Sequence, residues 1–173
     1  MSTAEATPPA TKSDTATTLA EVFQYTVDAY KTYQKLGENL PNPISAETFA
    51  KFAENERAHR DLLEIRYLDP AVPRMKVTLV GDLRFQDAIE GDLSYRELTQ
   101  ALISRERTME KKLRSAASSG PETIRNLLLY IAAGKRAHAV LLERELEMIN
   151  VYPDWYRRED AESIIVNGLP ASA

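Results

Sequence analysis

The sequence predicts an all-α protein, an up-down-down-up four-helix bundle with one long crossover between helices 2 and 3. Three observations predict this fold. Four long segments carry apolar residues at three- and four-residue intervals, the spacing of an amphipathic helix. Their connections are short, long and short, and the long one, roughly 25 residues, suits a crossover along a bundle. The second helical hairpin also repeats the sequence pattern of the first.

The first hairpin follows an N-terminal segment, 1–17, that is rich in Thr, Ala, Ser and Pro. This segment has little to bury and is predicted to be a disordered arm, so the bundle domain is predicted to span 18–150. Helix 1 begins its inward stripe at Leu19 and ends in GENLPNP, where glycine and prolines stop a helix. Helix 2 begins near Ser45, a candidate N-cap. Its inward residues are Phe49, Phe52, Ala53, Glu56, His59 or Arg60, Leu63 and Tyr67.

The second hairpin begins at the capping-box sequence Ser94-Tyr-Arg-Glu97. Helix 3 ends in the short turn ASSGPE, and Pro121 suits the first position of helix 4. The predicted inward residues of helix 3 are Leu98, Leu102, Glu106, Met109, Leu113 and Ala116. Those of helix 4 are Ile124, Leu128, Ile131, Lys135, His138, Leu142 and Ile149.

The C-terminal tail, 151–173, is mixed in composition but carries large apolar side chains. These are Trp155, Tyr156, Ile164, Ile165 and Leu169. So much apolar surface is unfavourable in a solvated linker. The tail is therefore predicted to pack on the bundle or on a neighbouring subunit.

Composition excludes several functional classes. The net charge is -4, which gives no electrostatic basis for binding nucleic acid or an anionic membrane. No apolar run is long enough to span a bilayer and the first residues lack a secretion signal, so we expect a cytoplasmic protein. The absence of cysteine excludes disulfides, thiolate metal sites and cysteine nucleophiles. Phosphate-binding glycine loops and catalytic-triad motifs are also absent.

The most informative motif is a repeat around the two histidines of the chain. ERAHRDLLE begins at Glu56 and KRAHAVLLE begins at Lys135, so one copy reads Glu-x-x-His and the other Lys-x-x-His. Residues three apart lie on one helical face. His59 and His138 are therefore predicted on facing helices related by an approximate two-fold axis. Buried carboxylates and imidazoles are costly unless they are paired or bind metal.

With these motifs the chain resembles the ferritin-like superfamily, and within it the rubrerythrin-like di-iron carboxylate proteins. The resemblance rests on AENERAHRDLLE, on AAGKRAHAVLLE, and on a small residue and a Tyr three and seven positions after the helix 1 ligand position; it covers 19–149. It implies a site in which six side chains from four helices hold two metal ions. The six positions fall on Thr26, Glu56, His59, Glu106, Lys135 and His138.

Two of these positions, Thr26 and Lys135, depart from the family pattern. An ammonium in place of a carboxylate repels a metal ion at about the same point, and it can pair with Glu56 or Glu106 instead. We therefore expect a degenerate site that binds one iron or manganese ion or none. The predicted metal ligands are Glu56, His59, Glu106 and His138.

Three functions are compatible with such a site. The first is a binding, scaffolding or stress-related protein with a degenerate centre. The second is a mononuclear non-haem iron or manganese oxidoreductase that uses the four predicted ligands. The third, ferroxidase or iron storage, ranks last because it normally needs two adjacent irons. An unusual two-metal site that uses a nearby carboxylate such as Asp28 or Glu110 is an alternative. The histidines could instead be simple hydrogen-bonding residues at the surface or in the core. Bundles of this class commonly form dimers, so a homodimer is expected.

Overall fold

The computed structural model describes residues 12–70, 76 and 93–168, and in these residues all regular structure is helical. The elements are α1 (Lys12–Asn39), α2 (Pro43–Tyr67), α3 (Tyr95–Ser119), α4 (Glu122–Val151), a 3-10 turn (Trp155–Arg157) and α5 (Ala161–Asn167). An all-α fold is therefore confirmed. The predicted long crossover falls almost wholly outside the described residues.

The helix starts follow from local capping. Ser94 accepts a hydrogen bond from the Glu97 amide while the Glu97 side chain accepts from the Ser94 amide, which confirms the predicted capping box. The prediction that Ser45 caps α2 is wrong. Asn42 is the cap and accepts from the amides of Ile44 and Ser45, each at 3.0 Å. Pro43 can then occupy the first turn, where a missing N–H costs nothing.

Helix α1 starts earlier than predicted. It begins at Lys12, within the 1–17 segment that was predicted to be a disordered arm, and residues 1–11 lie outside the described part. Ala16 and Leu19 are fully buried. One side chain of the predicted arm, Ala16, is therefore buried, and its three-residue spacing from Leu19 continues the inward stripe of α1 by one turn.

The four long helices pack as two hairpins whose seam brings the site residues together. Helix α1 packs along α2, and α3 along α4. Contacts between α2 and α4 run in opposite order along the two chains: Ser45 meets Glu145, Asn55 meets His138, and Arg66 meets Thr123. These two helices are therefore antiparallel. The aromatic part of the core includes Tyr33, Phe49, Phe52 and Tyr156 in successive ring contacts.

The C-terminal tail packs on one end of the bundle, as one of the two predicted arrangements requires. Trp155 and Tyr156 are buried; Ile165 is exposed, and Leu169 lies outside the described residues. The Trp155 indole N–H donates to Glu145 at 2.9 Å, and the Ser45 hydroxyl donates to the same carboxylate oxygen at 2.6 Å. The first bond ties the tail to α4, and the second ties α4 to α2. The tail is also tied to the cap of α2, because Asn42 Nδ2 donates to the Trp155 carbonyl at 2.7 Å.

No helix among the described residues combines the length and apolar character that crossing a membrane requires.

Replacing Trp155 by Ala should lower the free energy of unfolding by about 3–5 kcal/mol, because it removes a fully buried indole and leaves a cavity. Val166→Ala is the control, since that side chain is 78% exposed and its truncation should change stability by less than about 0.5 kcal/mol. Urea unfolding followed by circular dichroism measures both. Equal stabilities for the two variants would show that the tail does not pack on the bundle in solution.

Glu145 should make stability pH-dependent. Burial raises the pKa of this carboxyl above its ordinary value of 4.5, although the bonds from Ser45 and Trp155 oppose the shift. The folded protein then holds the proton to higher pH than the unfolded chain. Glu145 therefore makes its full contribution to the free energy of unfolding below pH 4.5, and this contribution is lost as the pH rises through the raised pKa. The stability of Glu145→Gln relative to wild type should therefore increase from pH 4.5 upward in urea titrations. A pH-independent difference would contradict this.

Candidate metal centre

Three buried side chains from three different helices converge in the middle of the bundle. Glu56 on α2, Glu106 on α3 and His138 on α4 each offer one ligand atom, and these atoms lie within 4.8 Å of one another. His138 Nδ1 is 3.3 Å from Glu56 Oε1 and 3.6 Å from Glu106 Oε1. The convergence arises because all three residues occupy the inward stripes of their helices.

Lys135 fills the remaining space beside Glu56. Its side chain is fully buried, and its Nζ donates to both Glu56 oxygens, each at 2.5 Å. The same Nζ lies 4.6 Å from the centre of the Tyr25 ring, a cation–π contact. The predicted ion pair between Lys135 and an acidic ligand position is therefore confirmed, and the acid is Glu56.

The charges in this cluster shift one another's pKa. Burial by itself raises the pKa of Glu56, but Lys135 and then the two imidazoles outweigh it and hold the pKa well below 4.5. Burial by itself lowers the pKa of His138, but Glu106 and Glu56 raise it above 6.5. Glu56 is therefore a carboxylate at neutral pH, and its neighbourhood favours a positive His138.

The other nitrogen of His138 is held by Asn55. Asn55 Nδ2 is 3.3 Å from His138 Nε2. An amide that donates to Nε2 leaves the proton on Nδ1, facing the carboxylates. If the amide rotates so that its oxygen faces Nε2, the proton moves there and Nδ1 becomes a free ligand. The amide as placed therefore holds a neutral ring, whereas the rotated amide accepts the Nε2 proton and suits both a positively charged His138 and a ligating one.

Tyr33 fixes the carboxylate of Glu106. Its hydroxyl donates to Glu106 Oε1 at 2.6 Å. Burial, and then the charge of Glu106, raises the pKa of Tyr33 well above 10, so the phenol keeps its proton. Among the described residues, the second Glu106 oxygen and His138 Nδ1 have no hydrogen-bond partner. Buried polar atoms without partners are costly, and a bound cation is one way to satisfy such atoms.

His59 lies beside this group and is not among the three converging residues. It is buried, and its Nδ1 is 3.7 Å from Glu56 Oε2, the oxygen on the other side of the carboxylate. Its ring packs against the backbone of Gly134, where a Cβ would lie 2.5 Å from His59 Cε1. The Tyr130 ring makes an edge contact at 5.8 Å. Close packing therefore fixes the position of the imidazole.

The other predicted positions have different roles. Thr26 is fully buried, and its hydroxyl donates to the Phe23 carbonyl of its own helix at 2.8 Å. Glu110, a candidate replacement carboxylate, pairs with Arg107 and Arg114. Sequence reasoning missed Asn55 and Gly134. Each directly precedes a ligand position of the repeat, but neighbours in sequence point away from each other on a helix, so the motif gave no signal for them.

Comparison with known proteins supports the fold and gives no function. No protein-family model matches the chain, and no curated protein matches it. A hypothetical protein from Pyrococcus furiosus has a similar structure, with a TM-score of 0.62 and 19% identity. The similarity covers 79% of this chain and 90% of that chain. At such low identity it indicates a shared helical fold alone.

Gly134→Ala should destabilise the protein by about 1–3 kcal/mol, because the new methyl must displace the His59 ring from a packed core. In a His59→Ala background the ring is absent. The same substitution should there stabilise α4 by up to about 1 kcal/mol, since Ala favours helix over Gly. Thermal and urea unfolding of wild type, the two single variants and the double variant measures this double-mutant cycle. A stabilising Gly134→Ala in both backgrounds would show that the ring does not lie against Gly134.

Proposed function

We propose that this chain is a ferritin-like metal-binding protein in which the ammonium of Lys135 takes the place of one of two metal ions. The remaining site holds a single iron or manganese ion, bound by Glu106, His138 and one oxygen of Glu56. The observation that carries the proposal is the position of Lys135 Nζ, 2.5 Å from both Glu56 oxygens, beside three ligand atoms within 4.8 Å. Carboxylate oxygens with one imidazole suit iron and manganese.

Formal charge favours one ion over two. Glu56 and Glu106 together supply two negative charges and Lys135 supplies one positive charge. One divalent ion beside a neutral His138 leaves the buried cluster with a net charge of plus one, whereas two ions would leave plus three. A net charge of plus three is prohibitive in a site whose side chains are fully buried. Without metal, a protonated His138 makes the cluster neutral, so proton and metal compete at Nδ1.

The surrounding residues prepare the site for such an ion. Tyr33 holds Oε1 of Glu106, and Oε2 has no hydrogen-bond partner among the described residues. Asn55 positions the ring of His138, and Lys135 balances the charge of Glu56. Bound iron or manganese would supply Lewis-acid or one-electron redox chemistry at this point.

A mononuclear iron or manganese oxidoreductase is the second candidate. The observation that favours it is the presence of two oxidisable rings at the cluster, Tyr33 bonded to Glu106 and Tyr25 next to Lys135. Because the cluster is buried, the reactant would have to be as small as dioxygen or peroxide. Consumption of either over many turnovers by the iron-loaded protein would support this function, and consumption limited to one equivalent would oppose it.

Charge-changing variants should alter manganese binding in steps. Wild type should bind at most one Mn²⁺ per chain. Lys135→Met makes the one-ion site neutral and should lower its dissociation constant at least about tenfold. Lys135→Glu with Thr26→Glu restores the six ligand types and should raise the stoichiometry towards two. The single variant Lys135→Glu should have a lowered melting temperature without metal, and adding Mn²⁺ should restore that temperature. Loss of the free Mn²⁺ signal in electron paramagnetic resonance measures binding.

Two matched variants control for unrelated effects. Lys112→Met removes a lysine from a surface pair with Glu21, and Glu145→Gln neutralises a buried acid away from the cluster. Neither should change binding, whereas Glu106→Gln should weaken it strongly. If neither wild type nor Lys135→Met binds Mn²⁺ below about millimolar concentration, the proposed site is wrong. Two ions in wild type would show that Lys135 does not replace one.

A further inference from the structure

The buried cluster lies on the seam between the two helical hairpins. Among the described residues, backbones approach closely within each hairpin, α1 with α2 and α3 with α4, but only at few points between α2 and α4. The approach within the first hairpin is so close that a Cβ on Gly37 would lie 3.0 Å from the backbone of α2. The seam is bridged instead by side chains, since Lys135 reaches Glu56 and Tyr33 reaches Glu106. Each hairpin is therefore one packed unit, and the cluster lies where the two units meet.

The residues of the cluster are closed to solvent. Glu56, Glu106, Lys135 and His138 are fully buried, and packed protein interiors leave no gaps as wide as a hydrated ion. Units of a folded protein separate at a lower free energy than the whole chain unfolds. Separation at this seam also exposes the ion pair of Lys135 and Glu56 to water, which recovers part of its desolvation cost. The seam is therefore the favoured place for the protein to open.

The C-terminal tail crosses this seam at one end of the bundle. It continues α4 and so belongs to the second hairpin, yet it binds the α1–α2 turn of the first. Asn42 Nδ2 donates to the Trp155 carbonyl at 2.7 Å, and the Asn42 amide donates to the Tyr156 carbonyl at 3.2 Å. Beside these bonds, Ser45 and Trp155 both donate to Glu145. We name these five residues the clasp.

The clasp holds the two hairpins together through buried groups. Asn42, Ser45 and Tyr156 are fully buried. The Asn42 side chain starts α2 through its oxygen and holds the tail through its nitrogen. The Tyr156 ring lies 5.9 Å from Phe49 of α2 and 5.1 Å from Tyr95 of α3 between ring centroids, so it contacts both hairpins. Release of the tail from the α1–α2 turn thus removes contacts between the hairpins and leaves the packing within each one intact.

We propose that the hairpins separate at the clasp as intact units, and that this opening is the route by which an ion reaches the cluster. The opening requires no metal, whereas the entry step rests on the proposed function. Ser45 lies eleven residues before Glu56 on α2, about 16 Å along the helix at 1.5 Å per residue. The Arg66–Thr123 bond holds α2 to α4 at the opposite end, so the two units spread apart at the clasp end. The clasp therefore sets the rates of entry and release, while the cluster sets the affinity.

Cysteine accessibility in the metal-free protein tests the opening. The chain contains no cysteine, so Ala29→Cys introduces a single thiol at a fully buried position. Ala29 lies one turn from Tyr25 and from Tyr33, and both tyrosines contact cluster residues across the seam. Ala117→Cys places a thiol at a buried position near the opposite end, where the Ala117 carbonyl accepts from Arg125 of α4. The rate of thiol labelling under native conditions reports how often each position opens.

The clasp variant combines Asn42→Ser with Ser45→Ala. Serine keeps an acceptor that caps α2, but the bonds to the Trp155 carbonyl and to Glu145 are lost. Two fewer hydrogen bonds between the hairpins should raise the labelling rate of the Ala29→Cys thiol at least about tenfold.

Ile124→Val is the matched control, because it trims a buried side chain near Gly120, within the second hairpin. This packing is lost when the chain unfolds but is kept when intact hairpins separate. The substitution should therefore speed labelling of Ala117→Cys about twofold to tenfold and leave the labelling rate of Ala29→Cys unchanged.

Manganese exchange in the protein without introduced cysteines tests the entry step. In the clasp variant, uptake and release of Mn²⁺ should both be at least about tenfold faster than in wild type. The dissociation constant should stay unchanged, since no ligand residue is altered. Transfer of bound Mn²⁺ to a coloured chelator in a stopped-flow spectrometer measures release, and Ile124→Val should release Mn²⁺ at the wild-type rate.

The two measurements separate the opening from the metal. Labelling of Ala29→Cys that rises with Ile124→Val shows that the thiol is reached only by unfolding, and this overturns the proposal. So does a labelling rate that the clasp variant leaves unchanged. If Mn²⁺ release is unchanged while labelling rises as expected, the entry step is wrong. If no Mn²⁺ binds to any variant, the proposed function is wrong, and the labelling rates alone decide whether the hairpins separate at the clasp.

Discussion

The arrangement of the bundle centre depends on the ion pair between Lys135 and Glu56. Both side chains are fully buried, and neither charge is tolerable there without the other. Removing one partner of such a pair typically costs about 3–5 kcal/mol, although the intact pair adds little net stability. The pair therefore constrains what surrounds it. His138 and His59 approach opposite oxygens of the same carboxylate, and the Tyr25 ring lies against the ammonium.

The repeat distributes its residues between the interior and the exterior in the same way in both copies. The histidine and second leucine point inward, while the arginine, alanine and first leucine are exposed. The decisive departure is at one inward position, where Glu56 faces its equivalent, Lys135. A symmetric pair of glutamates would leave the centre negative and in need of cations. The exchange of one glutamate for lysine changes the local charge by two, the charge of one divalent ion.

Much of this structure could be predicted because it depends on local spacing. The inward stripes place Glu56, Glu106 and His138 together, and the Ser94 capping box forms as the sequence predicts. Two features were missed for different reasons. Ser45 is not the cap of α2 because the local pair Asn42-Pro43 starts the helix earlier, and its hydroxyl instead bonds Glu145, one hundred residues away. His59 sits where the missing side chain of Gly134 leaves room, a fit between two helices.

The lysine at position 135 also gives the buried cluster a cation of its own. A neutral side chain there would leave Glu56 and Glu106 with only the histidines to balance them, so the folded state would depend strongly on a bound cation. The tethered ammonium is always present and cannot dissociate. It supports Glu56 in the absence of metal, while Glu106 and His138 keep one unpartnered atom each. One of the two buried carboxylates is therefore balanced by an internal cation, whereas the other keeps an oxygen that a bound ion could take.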